Sequence, residues 1–118
     1  MTSTASRRHL PDRRPNRTET IRWAGKEFSV SIGYWLDGRP GEVFADGPRE
    51  GSDLKALLAD SAVLLSLLLQ HNVEPTAIGH SLARVPVNDT ETMPASVIGA
   101  VVEMLAEGLG GEETGAAP

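Results

Sequence analysis

The chain has 118 residues, of which 40% are hydrophobic and 23% charged, and its formal net charge is −5. That length supports one domain of ordinary size. The sequence contains no cysteine, which excludes a disulfide, a thiolate nucleophile and a cysteine-ligated zinc or iron–sulfur site. Its three histidines show no metal-ligand spacing, so we expect neither a metal nor another cofactor.

The first seventeen residues form a basic segment on an acidic chain. They carry +4, which leaves −9 for residues 18–118. We expect an extended N-terminal arm over residues 1–17 whose guanidinium groups contact phosphates or an acidic protein surface. A solubilising tail without a partner is the alternative. The arginines of this segment are Arg7, Arg8, Arg13, Arg14 and Arg17.

No targeting or membrane segment is evident in the sequence. The arginines are not followed by the apolar stretch of a secretory signal. The longest strongly apolar run, residues 62–69, is much shorter than the roughly 20 residues of a membrane span. We therefore expect a cytoplasmic protein that does not enter a membrane.

From Thr18 the hydrophobic pattern has a period of two, which predicts a small antiparallel sheet. Gly25 and Lys26 offer a turn, and residues 42–44 give a short third strand. Trp35 follows Tyr34 directly, so on a strand the two side chains face opposite ways. One of the two therefore lies on the less buried face, available to a partner. Trp35, together with Arg39 in the following turn, is a secondary candidate for such a contact.

Three helices are predicted after the sheet, which makes the fold class α+β. The first opens at Ser52 and is so rich in leucine that we expect burial on most of its sides. The second begins at Pro75 and runs to about residue 82, and the third covers residues 97–109 after a polar loop. One folded domain is thus predicted over residues 18–109, with a disordered tail at 110–118.

No catalytic constellation is visible. The serines have no histidine and carboxylate at a useful spacing, and the glycines form no phosphate-binding loop. We therefore expect a protein that is not an enzyme.

Five stretches resemble the TSCPD domain, which occurs near the C-terminus of adenosylcobalamin-dependent ribonucleotide reductases and as small free-standing proteins. One of them is GSDL at 51–54, which leads into the last of the other four. The other four are LPDRR at 10–14, FSVSIGY at 28–34, DGRPGEVF at 37–44 and SLLLQHNV at 66–73. The resemblance covers about residues 10–106. The Thr-Ser-Cys-Pro-Asp motif that names the domain is replaced by MPASVIG at 93–99, and the reductase's catalytic barrel is absent.

Among short proteins with this domain, the chain resembles regulators of gene transfer agents, the phage-like particles of some bacteria. That resemblance implies a transcription regulator that binds RNA polymerase, works with a DNA-binding co-activator and lets transcription run through a long operon. The arm would then reach nascent RNA or DNA phosphates. Arg13 and Arg14 lie inside the family-like segment and are expected to be partly structural, whereas Arg7 and Arg8 lie outside it.

Two alternatives remain at this point. One is an accessory or regulatory subunit of an adenosylcobalamin-dependent ribonucleotide reductase, which rests on the resemblance alone. The other is a simple nucleic-acid-binding module that uses the arm without polymerase and whose affinity falls steeply with salt.

Overall fold

Residues 15–47 and 52–115 are described by a computed structural model, with the backbone alone for Ser52 and residues 109–115. The predicted α+β class is confirmed: a three-stranded antiparallel sheet precedes three helices. The chain divides into two compact parts, unit 1 (Met1–Val73) and unit 2 (Glu74–Pro118). The elements are β1 (Asn16–Trp23), β2 (Lys26–Tyr34), β3 (Pro40–Asp46), α1 (Ser52–Gln70), α2 (Pro75–Ser81), β4 (Arg84–Pro86), β5 (Thr92–Pro94) and α3 (Val97–Gly115).

The sheet of unit 1 has the order β1-β2-β3. Strands β1 and β2 pair without a slip from Asn16 opposite Gly33 to Trp23 opposite Lys26. The turn between them is therefore Ala24-Gly25, one residue earlier than the sequence predicted. Both turn residues have positive φ, as the type I′ hairpin turn requires. Glycine adopts this conformation without steric cost, whereas Ala24 does not.

The core face of the sheet is built by alternate residues of β2, as its pattern predicted. Phe28, Val30 and Ile32 are buried, and Val43 of β3 lies opposite Ile32. The alternation stops at the end of β2, where the register shifts between Gly33 and Tyr34.

Trp35 is a core residue, which corrects its prediction as a contact residue. Its side chain is only 4% exposed, whereas Tyr34 is half-buried. Period-two alternation ceases to govern Trp35 because β2 ends at Tyr34 and the chain turns there. The backbone N–H of Trp35 donates to the carbonyl of Arg39 at 2.8 Å, which closes this turn.

Helix α1 packs against β3, which is an edge strand of the sheet. The Ser66 hydroxyl accepts a hydrogen bond from the Val43 N–H at 2.8 Å and lies 3.1 Å from the Val43 carbonyl oxygen. One turn further along, Gln70 Nε2 donates to the Gly41 carbonyl at 2.9 Å. These side chains occupy backbone groups that an open sheet edge would offer to another strand. Helix α1 therefore takes the place of a fourth strand.

Unit 2 contains a short β-hairpin that the sequence pattern did not predict. Strands β4 and β5 pair on either side of the predicted polar loop, residues 88–92, of which only Thr92 belongs to a strand. The Asn88 side-chain oxygen accepts from the N–H groups of Thr90 and Glu91, both at 2.9 Å, which fixes the hairpin loop. Three-residue strands with proline at their ends carry too little alternation to be recognised.

Secondary structure extends past both predicted boundaries of the folded region. Arg17 belongs to β1, so the sheet begins inside the segment assigned to the arm. Helix α3 continues to Gly115 instead of ending at residue 109, which shortens the predicted tail. Residues 1–14 and 116–118 lie outside the described part of the chain.

We predict that Ser66→Ala lowers the free energy of unfolding by about 1–3 kcal/mol, because it leaves the buried N–H of Val43 without a partner. Urea denaturation measures this change. Ser61→Ala is the matched control, since the Ser61 hydroxyl bonds only within α1, to the Leu57 carbonyl at 2.8 Å. Equal losses of stability for the two variants would contradict a special role for Ser66.

Candidate functional site

The predicted contact arginines fall into two groups. Arg7, Arg8, Arg13 and Arg14 lie outside the described residues. Arg17 extends from β1 with its Nε 2.9 Å from Glu19 Oε2, and its guanidinium carbon lies 5.7 Å from the centre of the Tyr34 ring. The guanidinium of Arg17 is therefore shared between a carboxylate and an aromatic face, and it remains about half exposed.

Arg39, the last predicted contact residue, is part of the turn between β2 and β3. Its backbone N–H donates to Asp37 Oδ1 at 3.0 Å, and the residue is half-buried. The structure joins Arg39 to Trp35 through the backbone and places Arg17 against Tyr34. Arg17, Trp35 and Arg39 therefore all make contacts within the sheet and its turn.

The surface feature that the sequence interpretation missed is an apolar face of α1. We call it the leucine stripe. Its four leucines are all exposed, and a half-buried serine lies between them. The stripe consists of Leu54, Leu57, Ser61, Leu64 and Leu68.

The prediction that α1 is buried on most sides is therefore wrong. The helix buries the single face that meets β3, which includes Ala62, Leu65 and Leu69. Two adjacent leucines show the boundary between the exposed and the buried face of α1, since Leu64 is 63% exposed and Leu65 only 3%. The signal that could have found the stripe is its spacing of three, four, three and four residues, which is separate from the spacing of the buried set.

Unit 2 contains a surface cleft of about 440 Å³ lined by α2, α3 and the β4–β5 hairpin. Leu82, Pro94 and Val102 give it apolar walls. Its one arginine, Arg84, is already engaged, since Nε donates to Thr92 Oγ1 at 2.7 Å and Nη2 lies 3.3 Å from Glu103 Oε2. The Arg84 guanidinium is therefore held by Thr92 and Glu103 and is not left open to a phosphate.

Residues 93–99, where the resemblance puts the Thr-Ser-Cys-Pro-Asp motif, join β5 to α3 beside this cleft. The Ser96 hydroxyl accepts from the Gly99 N–H at 3.1 Å, as a residue capping a helix start does. A Cβ atom at Gly99 would lie 3.2 Å from Cβ of Pro94, a tight contact that would require Pro94 to shift by a few tenths of an ångström. The segment has a clear structural role in this chain.

Metal-ligand clusters and membrane-spanning helices are both absent from the described residues. Within residues 15–47 and 52–115, no group of three or more histidines and carboxylates is placed to hold a metal ion. No helix in the same part of the chain is long and apolar enough to cross a membrane.

Comparison with known proteins relates the chain to a domain family and to vitamin B12-dependent ribonucleotide reductases. A family model described as the TSCPD domain matches residues 2–109. A vitamin B12-dependent ribonucleotide reductase of Rhodopirellula baltica is 30% identical over 107 residues, which is 88% of this chain and 10% of that protein. Reductases with the same description from Bradyrhizobium diazoefficiens and Agrobacterium fabrum are each 36% identical over 67 residues, 57% of this chain and 5% of theirs. No solved structure matches the chain significantly.

We predict that Leu64→Ala and Leu65→Ala differ strongly in their effect on stability. Leu65→Ala should cost about 2–5 kcal/mol because it opens a cavity against β3. Leu64→Ala should change the free energy of unfolding by less than about 0.5 kcal/mol, as exposed substitutions do. The measurement is chemical denaturation of dilute protein. Similar losses of stability at both positions would show that the leucine stripe is covered.

Proposed function

We propose that this chain, which belongs to the TSCPD domain family, is a non-enzymatic transcription regulator. It binds RNA polymerase and, together with a DNA-binding co-activator, promotes read-through of a phage-like gene transfer agent operon. The observation that carries this proposal is the division of charge between the two units.

The two units carry opposite charge. Unit 2 holds seven carboxylates against a single Lys or Arg, which gives −6. Unit 1 holds ten Lys and Arg residues against nine carboxylates, which gives +1, and half of these basic residues lie in the first seventeen positions. The one arginine of unit 2, Arg84, is 3.3 Å from Glu103. Unit 2 therefore repels nucleic acid at short range, and its natural counterpart is a basic protein surface.

A polymerase in the act of transcription offers both kinds of partner, protein surface and nucleic-acid phosphate. In the proposed arrangement, Arg7 and Arg8 contact phosphates of nascent RNA or DNA, and unit 2 contacts protein. Arginine suits phosphate contacts because its planar guanidinium binds two phosphate oxygens at once.

A second candidate function is that of an accessory or regulatory subunit of a vitamin B12-dependent ribonucleotide reductase. What favours it is that the three relatives named above all have that description. Since the matched regions make up only 5–10% of those proteins, the relationship concerns one domain of the reductase. The two candidates predict different binding partners and are separable in one experiment.

The test is retention of core RNA polymerase, and separately of a reductase catalytic chain, on the immobilised full-length protein. Read-through of a template that carries a terminator is measured in parallel, with the co-activator supplied. We expect polymerase to be retained and read-through to rise. Retention of the reductase alone, with termination unchanged, would contradict the proposal and support the second candidate.

The role of the arm is tested by salt dependence. We predict that replacing Arg7 and Arg8 by Ala lowers the log–log slope of single-stranded RNA affinity against salt by about 1.4, because each phosphate that is no longer neutralised removes roughly 0.7 from the slope. Arg22→Ala with Lys26→Ala is the matched control, because it removes the same charge from the folded sheet of unit 1. Fluorescence anisotropy measures the affinity. An equal change of slope in both double variants would refute a specific role for the arm.

A further inference from the structure

We propose that the leucine stripe of α1 is the seam of a two-fold dimer, in which a second copy of this chain lies alongside with its α1 parallel and in register. This goes beyond the proposed function, since it concerns how the protein associates with itself. The stripe is apolar, exposed and carried by a helix whose other face is fixed on β3.

The spacing of the leucine stripe indicates that the partner element is a helix. Its members recur at intervals of three, four, three and four residues from Leu54 to Leu68. That mean period of 3.5 is the one at which two helices keep the same seam in contact along their length. Fourteen residues at about 1.5 Å each make the seam roughly 21 Å long. A second helix fits such a stripe better than a loop or a sheet does.

The direction of the stripe leaves space for that helix. At roughly 100° per residue, the centre of the stripe lies about 130° around α1 from the buried residues that meet β3. A helix on the stripe therefore lies beside α1 and away from the strand that α1 covers.

The segments of the chain outside the described region are poorly suited to cover the stripe. Residues 1–14 contain four arginines and, after Met1, a single large aliphatic residue, Leu10. Residues 48–51 and 116–118 contain no large aliphatic residue. A second copy, by contrast, brings the same four leucines.

The charges beside the stripe select the parallel orientation. Asp53 and Asp60 lie along one margin, and the half-buried Leu58 lies along the other, where the stripe borders the buried Leu65. A parallel pair sets the acidic margin of each helix against the uncharged margin of its partner, whereas an antiparallel pair brings the two Asp60 side chains together. Repulsion between two neighbouring carboxylates opposes the antiparallel association.

Ser61 at the middle of the stripe is compatible with a dry, close contact. It is the smallest member of the stripe, so the helices approach most closely there. Its hydroxyl already donates to the Leu57 carbonyl at 2.8 Å, so burial leaves no hydroxyl hydrogen unpaired. The seam is shorter than the three to four heptads of a stand-alone coiled coil, and we expect a dimer that dissociates on dilution.

Sedimentation velocity of the full-length chain over a range of concentrations tests the dimer. We expect a shift from monomer to dimer as concentration rises, and we expect Leu64→Lys to raise the dissociation constant by at least about tenfold. Val63→Lys is the matched control, because Val63 is exposed on the same helix but off the stripe. Circular dichroism verifies that both variants fold. Wild-type protein that stays monomeric throughout, or equal weakening by both variants, overturns the proposal.

Cysteine cross-linking tests the orientation, because the chain has no cysteine of its own. In a parallel pair in register, Ser61→Cys faces its copy at a Cα separation within the roughly 4.4–6.8 Å that a disulfide spans. We expect this variant to form a disulfide-linked dimer under mild oxidation. Ala59→Cys, on another side of α1, is the control and should remain largely monomeric. Equal cross-linking of the two variants, or none at Ser61→Cys, overturns the parallel arrangement.

Discussion

The hydroxyl of Ser66 is the contact on which the arrangement of unit 1 depends. It accepts a hydrogen bond from the backbone N–H of Val43, and both groups are buried. A buried hydrogen bond therefore links α1 to the edge strand β3 within an otherwise apolar contact. One turn later Gln70 adds a second link of opposite direction, in which Nε2 donates to the Gly41 carbonyl. Because an unpaired N–H in this position is costly, the two links fix the rotation of α1 about its own axis.

That fixed rotation determines which leucines face outward. The helix carries more leucines than one edge strand can cover, and Ser66 selects the face that contains Leu65 and Leu69 for burial. The leucine stripe is what remains. The exposure of the leucine stripe is thus a direct result of the way α1 covers the edge strand β3. The stripe needs no rearrangement of the helix to become accessible. The acidic unit 2 adds a second surface of different chemistry.

The sequence was sufficient to predict the α+β class, the hairpin and the three helices, because alternation and helical spacing are local properties. The sequence was insufficient to predict the burial of Trp35, because that burial depends on where β2 ends and on a register shift. It was also insufficient for α1, since a leucine-rich helix looks the same in sequence whether one face or all of it is covered. The partner of Ser66 lies 23 residues away, so no local pattern reveals it.

The measurement that tests this account most directly is the reactivity of single cysteines at neighbouring positions of α1, in a chain that has no other cysteine. Val63 is 52% exposed and lies off the leucine stripe, whereas Ala62 is 2% exposed and faces β3. With the rotation fixed by Ser66, Val63→Cys should react with a thiol reagent freely and Ala62→Cys only when α1 opens from the sheet. Equal rates for the two variants would contradict the account, because they would show that α1 has no fixed face on β3.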